Sequence, residues 1–596
     1  MFFNDKEYFK GYVLHKGKLK IEDAMNLEMG DYDLYVSNDL DYTYVTKNGM
    51  HLAVVGYILD THNSILTEKE IADRLLEQYI ESRKNFESKI NQLNGRYALI
   101  IVGEQVEVYP DATTFRSIFY HDKLDIISSH SSLLKDVVTF EYNEQVIARK
   151  YFVNGFLDYS KYENIYKLSP NNYRNLTLKS NTRFFPNTNF VENDFNESLT
   201  KIIELLEQQK EWVKKQNAFI SFTGGIDSRF AAAIMHDRNF HTFTFIPEKE
   251  KLDAMNDKAV KVFKKDIELI KQISYDLNLN HEISEIDYKD LPEQYVESLK
   301  NQLESAYSFP LSYFYNQNSR FKNKLHIKSV LQAMGKVPYK NVSYDTNKIE
   351  DCYEVMILNM PKIFKDDVQK RQQMLKEYLQ RINLDENTAK GHYILDLFYI
   401  DQRLGNWHSN LTQETDNTFE TFNFVNTREL LELLMSQGMH NRKKYRMHKE
   451  VINHFWPVLN FYPVNEEMPN LFEQVKSMDN NSIYINVNKH LINNYNSFKP
   501  RSRMITNDRD YVAKLENKAD NEINVLISSR YKNERARGYI LVYINGKEYD
   551  ILDLNPGLIF NIGKSNSLEV KLKYKNNHNA PSWQKAGQLF CEVVGE

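Results

Sequence analysis

Short apolar blocks and alternating stretches dominate the first third of the chain. Residues 51–59, 97–102 and 106–109 read as strands, the last two paired across a turn at Gly103. Between them Ile71, Leu75, Leu76 and Tyr79 recur at helical spacing, which predicts a helix over 67–83. This mixture predicts a layered α+β domain. The rhythm changes near residue 195. Residues 199–215 read as a helix and 218–222 as a buried strand, and an Ala-rich helical pattern starts at Arg229. Residues 241–246 form a second strand pattern and 281–286 a third. Between them Ile267, Ile270, Ile273 and Leu277 mark a helix over 266–277. Strand–helix–strand alternation predicts a parallel sheet with crossover helices. The charged segment 247–265 reads as an insertion or flap. Residues 393–407 are helical by spacing, with Asp396, Tyr399 and Arg403 along one face, and 430–435 continue as an apolar helix. Beyond Pro500, residues 523–528, 539–544, 558–562 and 568–574 read as strands, with Asn545-Gly546 as a hairpin turn. They predict a small β-sandwich, a binding or docking module in which aromatics such as Trp583 serve core packing for the most part, stacking on sugars or peptides being the alternative.

The expected architecture is therefore multidomain: an α+β layered domain over 1–190, an α/β parallel-sheet domain over 195–475 and a β-rich accessory domain over 500–596. The 596 residues leave ample room for large cores. A net charge of -5 gives no global nucleic-acid footprint. Aromatic content of 13% argues for folded domains rather than disorder. No stretch approaches the ~20 apolar residues that span a bilayer, and residues 1–6 lack the layout of a signal peptide. Two cysteines, Cys352 and Cys591, make neither a disulfide framework nor a metal-like spacing. The expectation is a cytoplasmic, reduced protein, with peripheral attachment to a membrane-bound assembly as the alternative.

The strongest chemical signal is Thr223-Gly224-Gly225-Ile226-Asp227-Ser228, set between the strand and helix patterns. Adjacent glycines let backbone N–H groups approach an anion, and a helix start adds free donors and positive dipole. Thr223 and Ser228 can donate to phosphate oxygens, and Asp227 can hold magnesium against them. The run resembles the pyrophosphate loop of the N-type ATP pyrophosphatases, and most closely that of asparagine synthetases, with Thr223 in place of the usual Ser.

Four segments upstream extend the resemblance to class II glutamine amidotransferases. Ala53-Val-Val-Gly-Tyr-Ile58 is similar to their Asn-Gly-Glu-Ile-Tyr strand, and Leu93-Asn-Gly-Arg-Tyr-Ala98 to their Leu-x-Gly-x-Phe-Ala. The run from Asp111 to Tyr120 resembles Asp-x-x-Gly-x-Arg-x-Leu-Tyr-Tyr, and the run from Ile165 to Pro170 resembles Ile-x-x-Leu-x-Pro. The resemblance implies an Ntn-hydrolase-like first domain and an ATP pyrophosphatase second domain. The chemistry of the first departs from the family. That class attacks glutamine with an N-terminal Cys, whereas Phe2 follows Met1 here and Val55-Gly56-Tyr57 stands for Asn-Gly-Glu. Glutaminase activity is therefore expected to be absent, leaving a structural or docking platform.

In the second domain the resemblance assigns Phe245 and Ile246 to adenine contacts and ATP and Mg2+ as cofactors, the metal on Asp227. The family's second acidic loop, Ser-Gly-Glu-Gly-Ser-Asp-Glu, is replaced by a stretch over 326–336 with Ser329, Gln332, Gly335 and Lys336 but no carboxylate. Lys336 can neutralise phosphate directly. The run from Phe422 to Arg428 resembles Pro-Phe-Leu-Asp-x-Arg with Asn426 in place of the acid. The basic stretch 440–449 offers Lys443 or Lys444 to a pyrophosphate, a solvated basic face being the alternative. Lys336, Lys444 and Tyr399 are thus the catalytic candidates. The implied reaction adenylates a carboxylate, releases pyrophosphate and joins the carboxylate to an amine. The implied partners are a small-molecule or peptide carboxylate and an amine donor (free ammonia or an amine on the substrate itself), with a second copy of the chain as a further candidate. The competing expectation is a catalytically degenerate nucleotide-binding or scaffold protein.

Overall fold

Strand Leu93–Val102 is buried at every residue and pairs antiparallel with Met50–Asp60 on one side and Val106–Pro110 on the other, closing at Val102↔Val106 around Gly103. These are the centre of a six-stranded sheet that packs face to face on a second six-stranded sheet. Leu14 and Leu34 from one sheet and Ala53, Val55, Ala98 and Ile100 from the other share the core between them. Helix Glu68–Glu81 covers the outer face of the first sheet through Ile71, Ala72, Leu75 and Leu76, and Ser131–Glu141 covers the second through Leu133, Leu134, Val137 and Val138. The result is a helix–sheet–sheet–helix stack. A reciprocal capping box between Thr67 and Glu70 starts the first helix. Ser82, in extended conformation, ends it at Glu81 and caps a second helix, Arg83–Ile90, that apolar spacing alone did not separate.

This computed structural model describes residues 1–237, 240–248, 257–287, 291–339, 348–360, 364, 367–464, 483–487, 491–494, 497–500, 511–517, 520–574 and 586–594. The chain divides into two compact units, Met1–Met468 and Pro469–Glu596. The segments expected as separate first and second domains thus lie in one unit.

The second half of that unit holds a five-stranded, all-parallel sheet in the order His281–Ile286, His241–Pro247, Ala218–Ser221, Leu325–Ile327, Glu420–Phe422. The chain runs outward from Ala218–Ser221 in one direction, then returns to its other side. That reversal opens a crevice beyond the carboxyl ends of Ala218–Ser221 and Leu325–Ile327, the usual ligand position in such sheets. An aromatic cluster of Phe219, Phe243, Tyr315, Phe321 and Phe419 packs beneath, with His326 stacked on Phe219 at 4.6 Å between ring centres.

Two helix expectations are corrected. The helix expected from residue 266 begins at Asp257, so much of the supposed flap is helical; residues 249–256 lie outside the described residues. The stretch 393–407 opens as α-helix, Ile394–Phe398, and widens into a π-helix over Tyr399–His408. Asp396 is buried against Arg442 at 2.6 Å, while Tyr399 bonds Arg403 four residues on.

The first and second halves of this unit meet along a buried seam. Arg96 pairs with Asp416 and Glu420 at 2.5 and 2.6 Å, and Arg116 reaches Glu420 at 2.6 Å. Asn426 donates to the Gly95 carbonyl at 2.7 Å and accepts from Thr113 at 2.8 Å; Arg428 donates to the Pro170 carbonyl at 2.6 Å.

The second unit consists of two antiparallel sheets, each of five strands among the described residues, around one core that includes Val525, Ile527, Val542 and Val570. The Asn545-Gly546 turn joins Ile540–Ile544 to Lys547–Asp550 with both residues left-handed, at φ 48° and 83°. Trp583 lies outside the described residues.

Candidate functional site

Helix Ile226–Ile234 starts directly beyond strand Ala218–Ser221 and its cap residue is Gly225, so no side chain satisfies its first amides. Ser228 braces the loop from inside: its hydroxyl accepts from the Thr223 amide at 3.0 Å and donates to the Thr223 and Gly225 carbonyls at 2.9 and 3.0 Å. The Gly225 amide donates to Thr223 Oγ1 at 3.3 Å. Arg229, buried next in sequence, donates to the Gly224 carbonyl at 2.8 Å and to the Tyr462 carbonyl at 2.7 Å. Burial pushes its guanidinium down to about 10 against the opposing pull of Asp266 and Tyr462. The loop carbonyls are thereby tied back, as are the Thr223 and Gly225 amides, which leaves the first amides of helix Ile226–Ile234 without a side-chain partner to meet an anion.

Asp227 projects from the first turn of this helix. Its Oδ2 accepts from Lys336 Nζ at 2.6 Å, and His448 Nε2 lies 3.4 Å from Oδ1. Burial works against the Asp227 charge, but the His448 N–H and the Lys336 ammonium outweigh it and hold the carboxyl below its ordinary range. Lys336 follows the 3-10 turn Leu331–Gly335, just past strand Leu325–Ile327. The crevice therefore brings together the two segments that flank the reversal of strand order. Phe245 and Ile246 stand half-buried near the carboxyl end of His241–Pro247, the strand beside Ala218–Ser221.

Tyr399 lines the same region. Burial raises its phenol, which Arg403 draws back down and the nearby Asp227 charge pushes further up. Arg403 stacks on Trp407, 3.4 Å from the ring centre. Lys328, at the end of Leu325–Ile327, is pushed down to about 8 by burial. Neither Lys328 nor Arg403 has a carboxylate partner within ion-pair distance among the described residues. The nearby Glu414 instead accepts from the Tyr307 and Ser308 amides at 2.8 and 2.6 Å.

The structure brings Thr223, Gly224, Gly225, Asp227, Ser228, Lys336 and Tyr399 into one place. Lys444 and Lys443 are exposed and make no side-chain hydrogen bond or ion pair among the described residues. The same basic stretch contributes His448 instead, which its sequence neighbours do not distinguish. Asn426, which stands in place of its motif's acid, belongs to the seam. Arg229 was legible only as the residue after Ser228.

The donors that fit a polyphosphate are a bare helix start and a lysine, the Ser228 hydroxyl being committed to loop carbonyls. For magnesium, Asp227 supplies one carboxylate, which suffices for an ion bound chiefly through phosphate oxygens. Among the described residues no cluster of three His, Cys, Asp or Glu side chains is arranged to hold a metal. No family model matches this chain, and no curated protein matches it.

Proposed function

We propose that residues 223–228 bind the polyphosphate of ATP, and that the chain is an asparagine synthetase-like enzyme that adenylates a carboxylate and joins it to an amine. One observation carries the reading. At the reversal point of a parallel sheet, a Gly-Gly loop leads into a helix whose first amides have no side-chain cap, and Asp227 on that helix meets a lysine that follows the neighbouring strand. In this reaction a substrate carboxylate oxygen bonds to the α-phosphorus as the bond to the departing pyrophosphate breaks. The amine then displaces AMP from the acyl carbon and loses its proton. The first amides of helix Ile226–Ile234 and Lys336 take up charge developing on pyrophosphate. Asp227 would hold magnesium, whose contribution is further neutralisation of that charge. Lys328 and Arg403, cations without ion-pair partners among the described residues, suit an anionic carboxylate substrate. The first half resembles a glutaminase stack in which Val55-Gly56-Tyr57 stands for the glutamine-binding Asn-Gly-Glu, so in this reading the amine is ammonia or part of the substrate.

A nucleotide-binding scaffold is the second reading. It is favoured by the lone position of Asp227, which is joined by Lys336 and His448 rather than by a second acid. ATP–pyrophosphate exchange across a panel of carboxylates separates the two. The enzyme reading expects exchange in the wild type that falls at least a hundredfold in Asp227→Ala. ATP binding with no exchange for any acid sinks it.

A further inference from the structure

His448 takes no part in the chemistry outlined above, yet it touches two elements of the site at once. It sits on helix Arg446–Phe455, 1% exposed. Its Nε2 lies 2.8 Å from the Gln332 carbonyl, an acceptor only, so Nε2 carries a hydrogen. The same N–H faces Asp227 Oδ1 at 3.4 Å, and no donor meets that buried oxygen at full hydrogen-bond geometry. Asp227 is therefore contacted from two sides, by a hydrogen bond from Lys336 at Oδ2 and by the His448 N–H, longer than a full hydrogen bond, at Oδ1.

The two contacts differ in stiffness. Lys336 is half-buried on a flexible four-carbon stem, 5.4 Å from the Tyr445 ring centre. The imidazole is wedged. Gly335 lies so close that a Cβ there would stand 2.7 Å from His448 Cε1, and the Phe230 ring packs edge-on at 5.7 Å. Its second anchor, the Gln332 carbonyl, belongs to the turn that delivers Lys336. One rigid ring thus sets the distance between the start of the loop helix and the lysine-bearing turn.

We propose that His448 is a positioning residue: it holds the Asp227 carboxylate in place, and the Lys336 turn in register with it, when Lys336 is drawn away to a bound phosphate. The proposal rests on the polyphosphate reading of residues 223–228. Gly335 then serves to admit the ring.

Calorimetric titration with inorganic pyrophosphate in magnesium buffer tests it, using His448→Leu, His448→Gln and Gly335→Ala. Gln can present an amide N–H where Nε2 stood. We expect at least tenfold weaker binding in His448→Leu, recovery to within threefold of wild type in His448→Gln, and a loss in Gly335→Ala, each variant melting cooperatively. Wild-type affinity in His448→Leu, or no recovery in the Gln variant, overturns the proposal. A wild type that binds no pyrophosphate would instead overturn the phosphate reading. Independently of any ligand, nitrogen NMR of histidine-labelled protein should show the His448 Nε2 signal shift in Asp227→Asn. An unmoved signal would disprove the contact itself.

Discussion

Gly224 and Gly225 are adjacent, but a side chain would meet different surroundings at each. A Cβ on Gly224 would stand 2.5 Å from Asp266 Oδ1 and 2.9 Å from Leu269 Cδ2, both on helix Asp257–Asp276; on Gly225 it would meet only Thr223 Oγ1 at 3.4 Å. Gly224 is thus required for close packing behind the loop, and Gly225 for an open front where a phosphate would lie. Gly224→Ala should destabilise the first unit by about 1–3 kcal/mol, the range for an overpacked contact. Gly225→Ala should leave folding within about 0.5 kcal/mol, as for a tolerated surface change, while weakening pyrophosphate binding. Denaturant melts paired with pyrophosphate titrations read both effects. Equal losses of stability in the two variants would remove this division of roles.

At the scale of elements, the pattern of apolar residues was most informative where one face is buried and a local signal marks the end. The strand expected over 281–286 is observed as His281–Ile286, and Asn545-Gly546 forms the expected two-residue turn. It was least informative where geometry depends on distant partners. Nothing local announces the π-helix over Tyr399–His408, whose residues make buried bonds to distant parts of the chain, such as Asp401 with Arg183 and Gln402 with the Gly155 carbonyl. His448 and Lys444 are four residues apart in one basic stretch; burial on helix Arg446–Phe455 brings the first to Asp227 and leaves the second in solvent. The hairpin gives a direct test. Gly546 has φ 83° and nothing within 4 Å of a Cβ, so Gly546→Ala meets backbone strain alone. It should lower the stability of the second unit by about 1–2 kcal/mol, the penalty for a left-handed L-residue. A two-transition melt in which only the transition of the second unit moves would bear this out; a shift in the first unit alone would contradict it.

Over the whole of the first unit, burial of histidines couples stability to pH. Burial pushes His130 down to about 3, with Arg116 and Arg96 adding to the effect, and holds His326 and His408 well below their ordinary range. His408 is 2% exposed and neither ring nitrogen has a hydrogen-bond partner among the described residues, while Lys328, Arg403 and Lys167 stand near enough to oppose its charge. The folded unit therefore refuses protons that the unfolded chain accepts near pH 6.5. Below that value the unfolded state binds more protons, so stability rises with pH and is lost as pH falls. Each such histidine contributes a slope of up to about 1.4 kcal/mol per pH unit between its unfolded and folded values. Buried carboxyls work the other way: Glu68, pushed up to about 7 by burial, keeps a proton when folded that it would release on unfolding. Total proton uptake thus mixes opposing groups, and a difference between variants isolates one. His408→Leu leaves no hydrogen-bonding partner behind, so its stability relative to wild type should be nearly constant above pH 7. Below pH 6.5 the difference should move in favour of the variant by about 1.4 kcal/mol for each pH unit down to pH 5. Urea melts at half-unit intervals measure it. Parallel wild-type and variant curves across that window would mean that His408 takes up a proton in the folded unit as readily as in the unfolded chain.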